Sequence, residues 1–298
     1  MANNTDEFID VILNSYNEYD LTVRIDTDNI LNKDIIIEVV EEIRKILFPG
    51  FFDQNRLRSE YLKFHVGERL EFIQYNLKRQ ITKALCNAKC CEQEEKSLIE
   101  EKAQKASYEF LSRIPKIREY LYTDVLAAYD GDPAAYSIEE IIFSYPGLYA
   151  ITIYRIAHEL WEMDIPMIPR IMTEYAHSIT GIDINPGATI GKYFFIDHGT
   201  GIVIGETTII GDNVKIYQGV TLGALSTRKG QQLKGVKRHP TICDNVTIYS
   251  ETTILGGDTI IGEGATIGGN AFIVESVAAK TKVSVENPKM QFIKNEKI

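Results

Sequence analysis

Apolar positions follow two rhythms along this chain. In the second half an aliphatic residue returns roughly every six positions: Ile184, Ile190, Ile196, Ile204, Ile210, Ile216 and Leu222, then after a gap Ile242, Ile248, Ile254, Ile261, Ile267 and Ile273. A helix repeats about every 3.6 residues and a strand about every 2, so neither produces this beat. It is the period of a parallel β-helix, in which each hexapeptide makes one short strand and one turn. The aliphatic residue points inward and stacks on its copies. Gly191, Gly205, Gly211, Gly223, Gly262 and Gly268 follow it, and Gly, Asn and Asp supply the turns.

The first half has helical spacing. Ile36, Val39, Val40, Ile43, Ile46 and Leu47 share one helix face, which Pro49-Gly50 ends. A long polar helix is expected from Leu57 to Glu109, with Leu62, Val66, Leu70, Ile73 and Leu77 on one side. Tyr129 to Pro133 reads as a turn, with Asp132 as an N-cap and Pro133 at the first helical position. Ser137 and Glu140 have the spacing of a capping box. Further helices are expected from Pro146 to Trp161 and up to Gly181, a helix stop. The expected organisation is a helical domain over 1–180 for oligomerisation and part of the substrate site. A β-helix catalytic domain follows over 181–275 with an extruded loop at 224–240, then a polar, lysine-rich tail over 276–298. A triangular β-helix has flat flanks that pair with copies of themselves, so a trimer is expected.

Composition narrows the partners. A net charge of −10 disfavours nucleic acid, whose phosphates need a basic face. No apolar run is long enough to span a membrane, and the polar start MANNTDEF is no secretory signal. Four cysteines in 298 residues make no disulfide framework, so a reducing cytoplasm is the expected home. Cys86, Cys90 and Cys91 lack a matching second pair for zinc, and no metal site is expected.

The six-residue beat slips twice. Between Ile196 and Ile204 it stretches around Asp197-His198-Gly199-Thr200-Gly201; between Leu222 and Ile242 a loop intrudes and ends Lys237-Arg238-His239-Pro240. A regular solenoid needs neither, and loops that interrupt repeats form binding faces. His198 suits a general base, because an imidazole titrates near neutral pH; it could equally cap a turn. Asp183 lies one coil earlier, where its carboxylate could orient the ring. Arg238-His239 reads as a compact cationic pair, with a guanidinium suited to a carboxylate or simply to solvent. His158 reads as packing, and His65 and His177 as helix residues.

These stretches resemble the serine O-acetyltransferase family of the hexapeptide-repeat acyltransferases. The motifs are Asp132-Pro133-Ala134, Tyr154 to Trp161, Gly181 to Pro186, Ile196 to Glu206, and Arg238-His239-Pro240. The resemblance implies an α+β fold: an N-terminal all-helical domain followed by a left-handed parallel β-helix. It implies transfer of acetyl from acetyl-CoA to the hydroxyl of L-serine, in cysteine biosynthesis, with direct attack in a ternary complex. His198 would be the base and Asp183 its orienting partner. Asp132 and Asp197 would contact the amine or hydroxyl, and Arg238 and His239 the carboxylate. Acetyl-CoA, a co-substrate with no permanent cofactor beside it, would lie near Gly223, Ala224, Gly256, Gly257 and Lys282. The family is a hexamer built as a dimer of trimers. In several members a C-terminal isoleucine enters O-acetylserine sulfhydrylase, and Ile298 is compatible with that.

Three departures stand out. Asn185 replaces the usual His, Lys237 replaces an acidic residue at the end of a longer loop, and Val285 to Lys289 lacks the usual Gly-x-Pro-Ala segment. Rival readings are an acetyltransferase for homoserine or sugars, a β-helix zinc carbonic anhydrase, and a non-catalytic assembly subunit. The carbonic anhydrase needs three clustered histidines, whereas the solenoid holds only His198 and His239.

Overall fold

A computed structural model describes residues 4–25, 28–53, 56–88, 95–228 and 230–286. The Cys90 and Cys91 pair, the Asn287-Pro288-Lys289 segment and Ile298 lie outside the described residues. The helices are α1 (Asn4–Glu18), α2 (Lys33–Leu47), α3 (Leu62–Asn87), α4 (Lys96–Gly131), α5 (Ile138–Ser144), α6 (Pro146–Trp161) and α7 (Ile168–Thr180). None is long and apolar enough to cross a membrane.

Each helix forms where local chemistry supports it. α2 is capped by Asn32, whose side chain accepts from Ile35 N. It buries Ile36, Val39, Val40, Ile43 and Leu47, the expected face. α5 starts at Ser137, whose Oγ accepts from Glu140 N at 3.2 Å, while Glu140 reaches back to Tyr136 N at 2.6 Å. α7 ends at Gly181 in the left-handed region, φ +70. Two expectations fail. The single helix from Leu57 to Glu109 is instead α3 and α4, which pack on one another. The break follows Ala88, which is extended, and α4 restarts after an extended Glu95. α4 also runs through the expected turn at Tyr129 to Gly131. Asp132 is therefore its C-cap residue and not the N-cap of a following helix. Its Oδ1 accepts from Ala134 N at 2.8 Å, a local bond that turns the chain at Pro133.

From Asp183 the chain winds into a three-faced parallel solenoid. Strands are β1 (Asp183–Ile184), β2 (Thr189–Ile190), β3 (Phe195–Asp197), β4 (Val203–Ile204), β5 (Ile209–Ile210), β6 (Lys215–Tyr217) and β7 (Thr221–Gly223). Then come β8 (Thr241–Ile242), β9 (Thr247–Ile248), β10 (Thr253–Leu255), β11 (Ile260–Ile261), β12 (Thr266–Ile267), β13 (Phe272–Ile273) and β14 (Lys282–Val283). Every third strand shares a sheet: β1-β4-β7-β10-β13 forms sheet A, β2-β5-β8-β11 sheet B and β3-β6-β9-β12-β14 sheet C. The rhythm's aliphatics are paired rung by rung, as in Ile184↔Ile204 and Ile216↔Ile248, and all are buried. The solenoid continues beyond Val274, because Val277 bridges Ile261 and β14 pairs with β12.

One buried ion pair joins the halves. Arg155 on α6 grips Asp124 on α4 at 2.7 and 2.9 Å. It also donates to the carbonyls of Ile190 and Gly191, and Asp124 accepts from Phe194 N. Tyr154 OH adds a bond to Ala188 O at 2.6 Å. Two glycines set the close contact. A Cβ on Gly131 would lie 2.7 Å from the Phe195 ring, and one on Gly147 would lie 2.6 Å from Ile196 O. The end of α4 and the start of α6 thus rest directly on β3, which leads into His198.

Candidate active site

His198 leaves β3 at the corner where sheet C gives way to sheet A. Asp197 pairs with Tyr217 of the next coil, and Gly219 N donates to Thr200 O at 3.0 Å. Gly219 thus stands opposite Gly201, and between those rungs the lower coil holds His198, Gly199 and Thr200 where the upper holds Gln218 alone. The stretched step is therefore a three-against-one bulge, two residues longer than the step stacked on it. Its residues take left-handed backbone, φ +59 at His198 and +93 at Gly199, an uncommon state for a side chain larger than Gly. The imidazole is pushed outward and is 73% exposed.

Charged groups from both halves surround it. Asp197 Oδ1 lies 3.7 Å from His198 Nδ1. Asp132, at the end of α4, is near enough for His198 and Lys215 to help hold its carboxyl below the usual range. The larger causes are hydrogen bonds from Tyr145 OH and Ala134 N. Burial and the Asp132 carboxylate push the Tyr145 phenol up, so it stays a donor. Lys215 Nζ donates to Gly131 O at 2.6 Å, lies 3.7 Å from Asp197 Oδ2 and sits over the rings of Phe195 and Tyr217. It locks the end of α4 to the corner.

Asp183 lies below this corner, at the start of sheet A, paired with Val203. The expected contact with His198 is not made. Asp183 Oδ1 faces Arg170 NH1 at 3.5 Å, and no ion pair joins it to His198 among the described residues. The reason is the bulge, which carries the imidazole outward while Asp183 stays against α7. Asp183, Glu174 and His177 also converge there, but Arg170 bridges both carboxylates. Asn185 Oδ1 accepts from Gly187 N at 3.0 Å, a turn-packing role.

Arg238 and His239 occupy a different corner, between sheets A and B, where the loop returns to the prism. They are not the cationic pair that their adjacency suggested. His239 is buried, and burial with Arg238 and Lys237 nearby depresses its imidazole to about 4. Thr207 N donates to Nδ1 at 3.0 Å, so Nδ1 is the acceptor and the proton sits on Nε2. Gly205 makes room for the ring, since a Cβ there would lie 2.1 Å from His239 Cδ2. The Arg238 guanidinium is engaged by Glu206 and the carbonyls of Leu233 and Val236. Lys237 Nζ donates to the carbonyls of Thr207, His239 and Pro240, and burial lowers its ammonium. A cavity of about 370 Å³ opens between Glu206, Arg238 and the loop residues Thr227, Leu233 and Lys234.

The expected acetyl-CoA residues fall in two places. Gly223 and the residues after it, Ala224 included, lie at the loop corner, and Leu255-Gly256 stacks on Gly223. Gly257 is covered already, because a Cβ there would meet Lys237 O at 2.5 Å. Lys282 lies on β14 in sheet C, away from those glycines. Tyr145, Lys215, Glu206 and Thr207 are site residues to which sequence reasoning assigns no role. Of these, Glu206 alone falls within one of the family motifs.

No family-level sequence profile matches the chain. It is 44% identical over 218 residues to the plasmid serine acetyltransferase of Synechococcus elongatus, covering 71% of this chain and 68% of that one. The chain belongs to the serine acetyltransferase family. Family membership makes it an acyltransferase. It is also 49% identical over 128 residues to the serine acetyltransferase of Bacillus subtilis, covering 43% of this chain and 56% of that protein. The crystal structure of Entamoeba histolytica serine acetyltransferase 1 in complex with L-cysteine is similar at TM-score 0.71 and 37% identity, over 86% of this chain and 87% of that one. The Neisseria gonorrhoeae enzyme in complex with serine gives TM-score 0.55 at 26% identity, over 85% of this chain and 97% of that one. A helical half leading into a parallel solenoid is the architecture that the chain shares with these serine acetyltransferases.

Proposed function

We propose that the chain transfers acetyl from acetyl-CoA to the Oγ of L-serine, with His198 as general base. The observation that carries this is the bulge itself: an exposed imidazole on left-handed backbone beside the carboxylates of Asp132 and Asp197. Two carboxylates suit a primary ammonium, and an imidazole suits the hydroxyl next to it. In the reaction the serine Oγ attacks the thioester carbon while His198 takes its proton. The tetrahedral adduct then expels the CoA thiolate, which receives that proton from the imidazolium. Asp183 orients the ring by a side-chain rotation of the exposed imidazole. The serine carboxylate meets His239 Nε2–H and Arg238, where it competes with Glu206.

The site requires a second copy of the chain. His198 stands at the corner between sheets C and A, and Arg238 and His239 stand at the corner between sheets A and B. Corners of one prism point apart, so the base and the carboxylate contacts meet only between neighbouring prisms, as in a trimer. Acetyl-CoA then lies along that seam, past Gly223, Ala224 and Gly256, with Lys282 supplied from a sheet C face. Complexes of relatives with serine and with cysteine favour an amino-acid acceptor over a sugar.

The test is thiol release from acetyl-CoA with L-serine, L-homoserine and simple sugars as acceptors. Serine should give the highest kcat/KM, and His198→Ala should lower turnover by about two to four orders of magnitude. Equal turnover with a sugar, or an active His198→Ala variant, overturns the assignment.

A further inference from the structure

Gln218 stands alone opposite the bulged residues His198, Gly199 and Thr200, in the next coil of the same corner. Its backbone is conventional, with its carbonyl accepting from Glu251 N at 3.0 Å. Its side chain is not. Oε1 is buried without a hydrogen-bond partner, and the amide nitrogen donates to no described residue. Native chains keep few such groups, and each asks for a reason. A methionine or leucine would fill the same corner with no polar group left over, so packing does not supply that reason.

The surroundings do. Below Gln218 lies the base. Beside it Tyr217 stacks on Tyr249, ring centroids 5.0 Å apart, and walls the sheet C side. Above it lies the turn of Ser250 and Glu251, and the corner of Gly223 and Gly256 on a neighbouring prism would bring the thioester to this seam. The corner is rich in acceptors, Asp132 and Asp197, and two of its side-chain donors are engaged: Tyr145 OH on Asp132, and Lys215 Nζ on Gly131 O and Asp197. An oxyanion forming among carboxylates needs a neutral donor, and Gln218 Nε2–H, opposite the bulge, has no partner among the described residues.

We propose that Gln218 is a catalytic residue that donates from Nε2 to the thioester carbonyl oxygen. As the serine Oγ–C bond forms, the carbonyl π pair moves onto that oxygen, where the amide N–H holds it. When the C–S bond breaks, the pair returns to the carbonyl and the thiolate leaves with the proton from His198. This inference rests on the reading of His198 as base.

Steady-state kinetics of Gln218→Met, Gln218→Glu and His198→Ala test it, alongside the carbonyl stretch of acetyl-CoA bound to His198→Ala with and without Gln218→Met. Gln218→Met should lower kcat by about 10²–10³-fold, the scale of one oxyanion donor, with both KM values little changed. Gln218→Glu should be no better, since a carboxylate there repels the oxyanion. The stretch should move to higher frequency when Gln218 is replaced, a change that a merely structural role would not produce. A normal kcat in Gln218→Met, a loss confined to the serine KM, or an unmoved stretch overturns the proposal. If His198→Ala is inactive while Gln218→Met is normal, only this inference falls. If His198→Ala stays active, the underlying reading falls with it.

Discussion

His239 shows how much one side chain's surroundings decide. An unfolded imidazole gains its proton near pH 6.5, whereas folded His239 stays neutral down to about 4. Between those values the unfolded chain binds the extra proton, so stability falls as pH is lowered through that window and is level above it. Melting curves at pH 7.5 and pH 5 check this: the wild type should lose more stability on acidification than His239→Asn, which cannot titrate. Arg238→Ala should raise the serine KM more than the acetyl-CoA KM, because it removes a ground-state carboxylate contact. Steady-state kinetics with each substrate varied in turn would show the reverse if the loop serves CoA. The place of His198 was legible in the sequence, since the slip in the repeat marked the corner where it stands exposed. The state of His239 was not. Its neutrality comes from Thr207 and the space over Gly205, contacts made across a coil and invisible in the string Lys237-Arg238-His239.

At the scale of elements, the joint between helices and solenoid rests on Arg155 and Asp124. The pair is fully buried and satisfied on every side. Asp124→Ala would leave the guanidinium buried without its counter-charge, at a cost of about 3–5 kcal/mol. Chemical denaturation should show that loss, with Asp124→Asn intermediate because it keeps part of the hydrogen bonding. The solenoid strands were readable from the sequence because each hexapeptide carries its own inward aliphatic. The Gly181 stop and the Ser137 cap were readable because caps are local. The partition of Leu57 to Glu109 into α3 and α4 was harder to see, since both helices carry weak apolar stripes. Asp132 misled for a related reason: Asp before Pro fits a helix start, but here α4 arrives from the other side, and the carboxylate turns the chain and faces the site.

At the scale of the whole molecule, the separation of the two corners makes a sharp demand. His198→Ala and Arg238→Ala subunits should each be inactive or impaired alone. Co-assembled one to one, roughly a quarter of the seams would join an intact His198 to an intact Arg238 of a neighbour, and that share of activity should return. Mixing the two variants under conditions that exchange subunits, then measuring turnover, checks this; no recovery would mean that each chain holds a complete site. The two-residue bulge at His198 also has an evolutionary consequence. The inward beat resumes at Ile204 as if nothing had been inserted, because the pairing of Ile184 with Ile204 and of Ile204 with Leu222 is undisturbed. A prism corner therefore accepts extra chain at no expense to the stack beneath it. New specificities can be tried there by lengthening or shortening one bend, while the scaffold stays as it is.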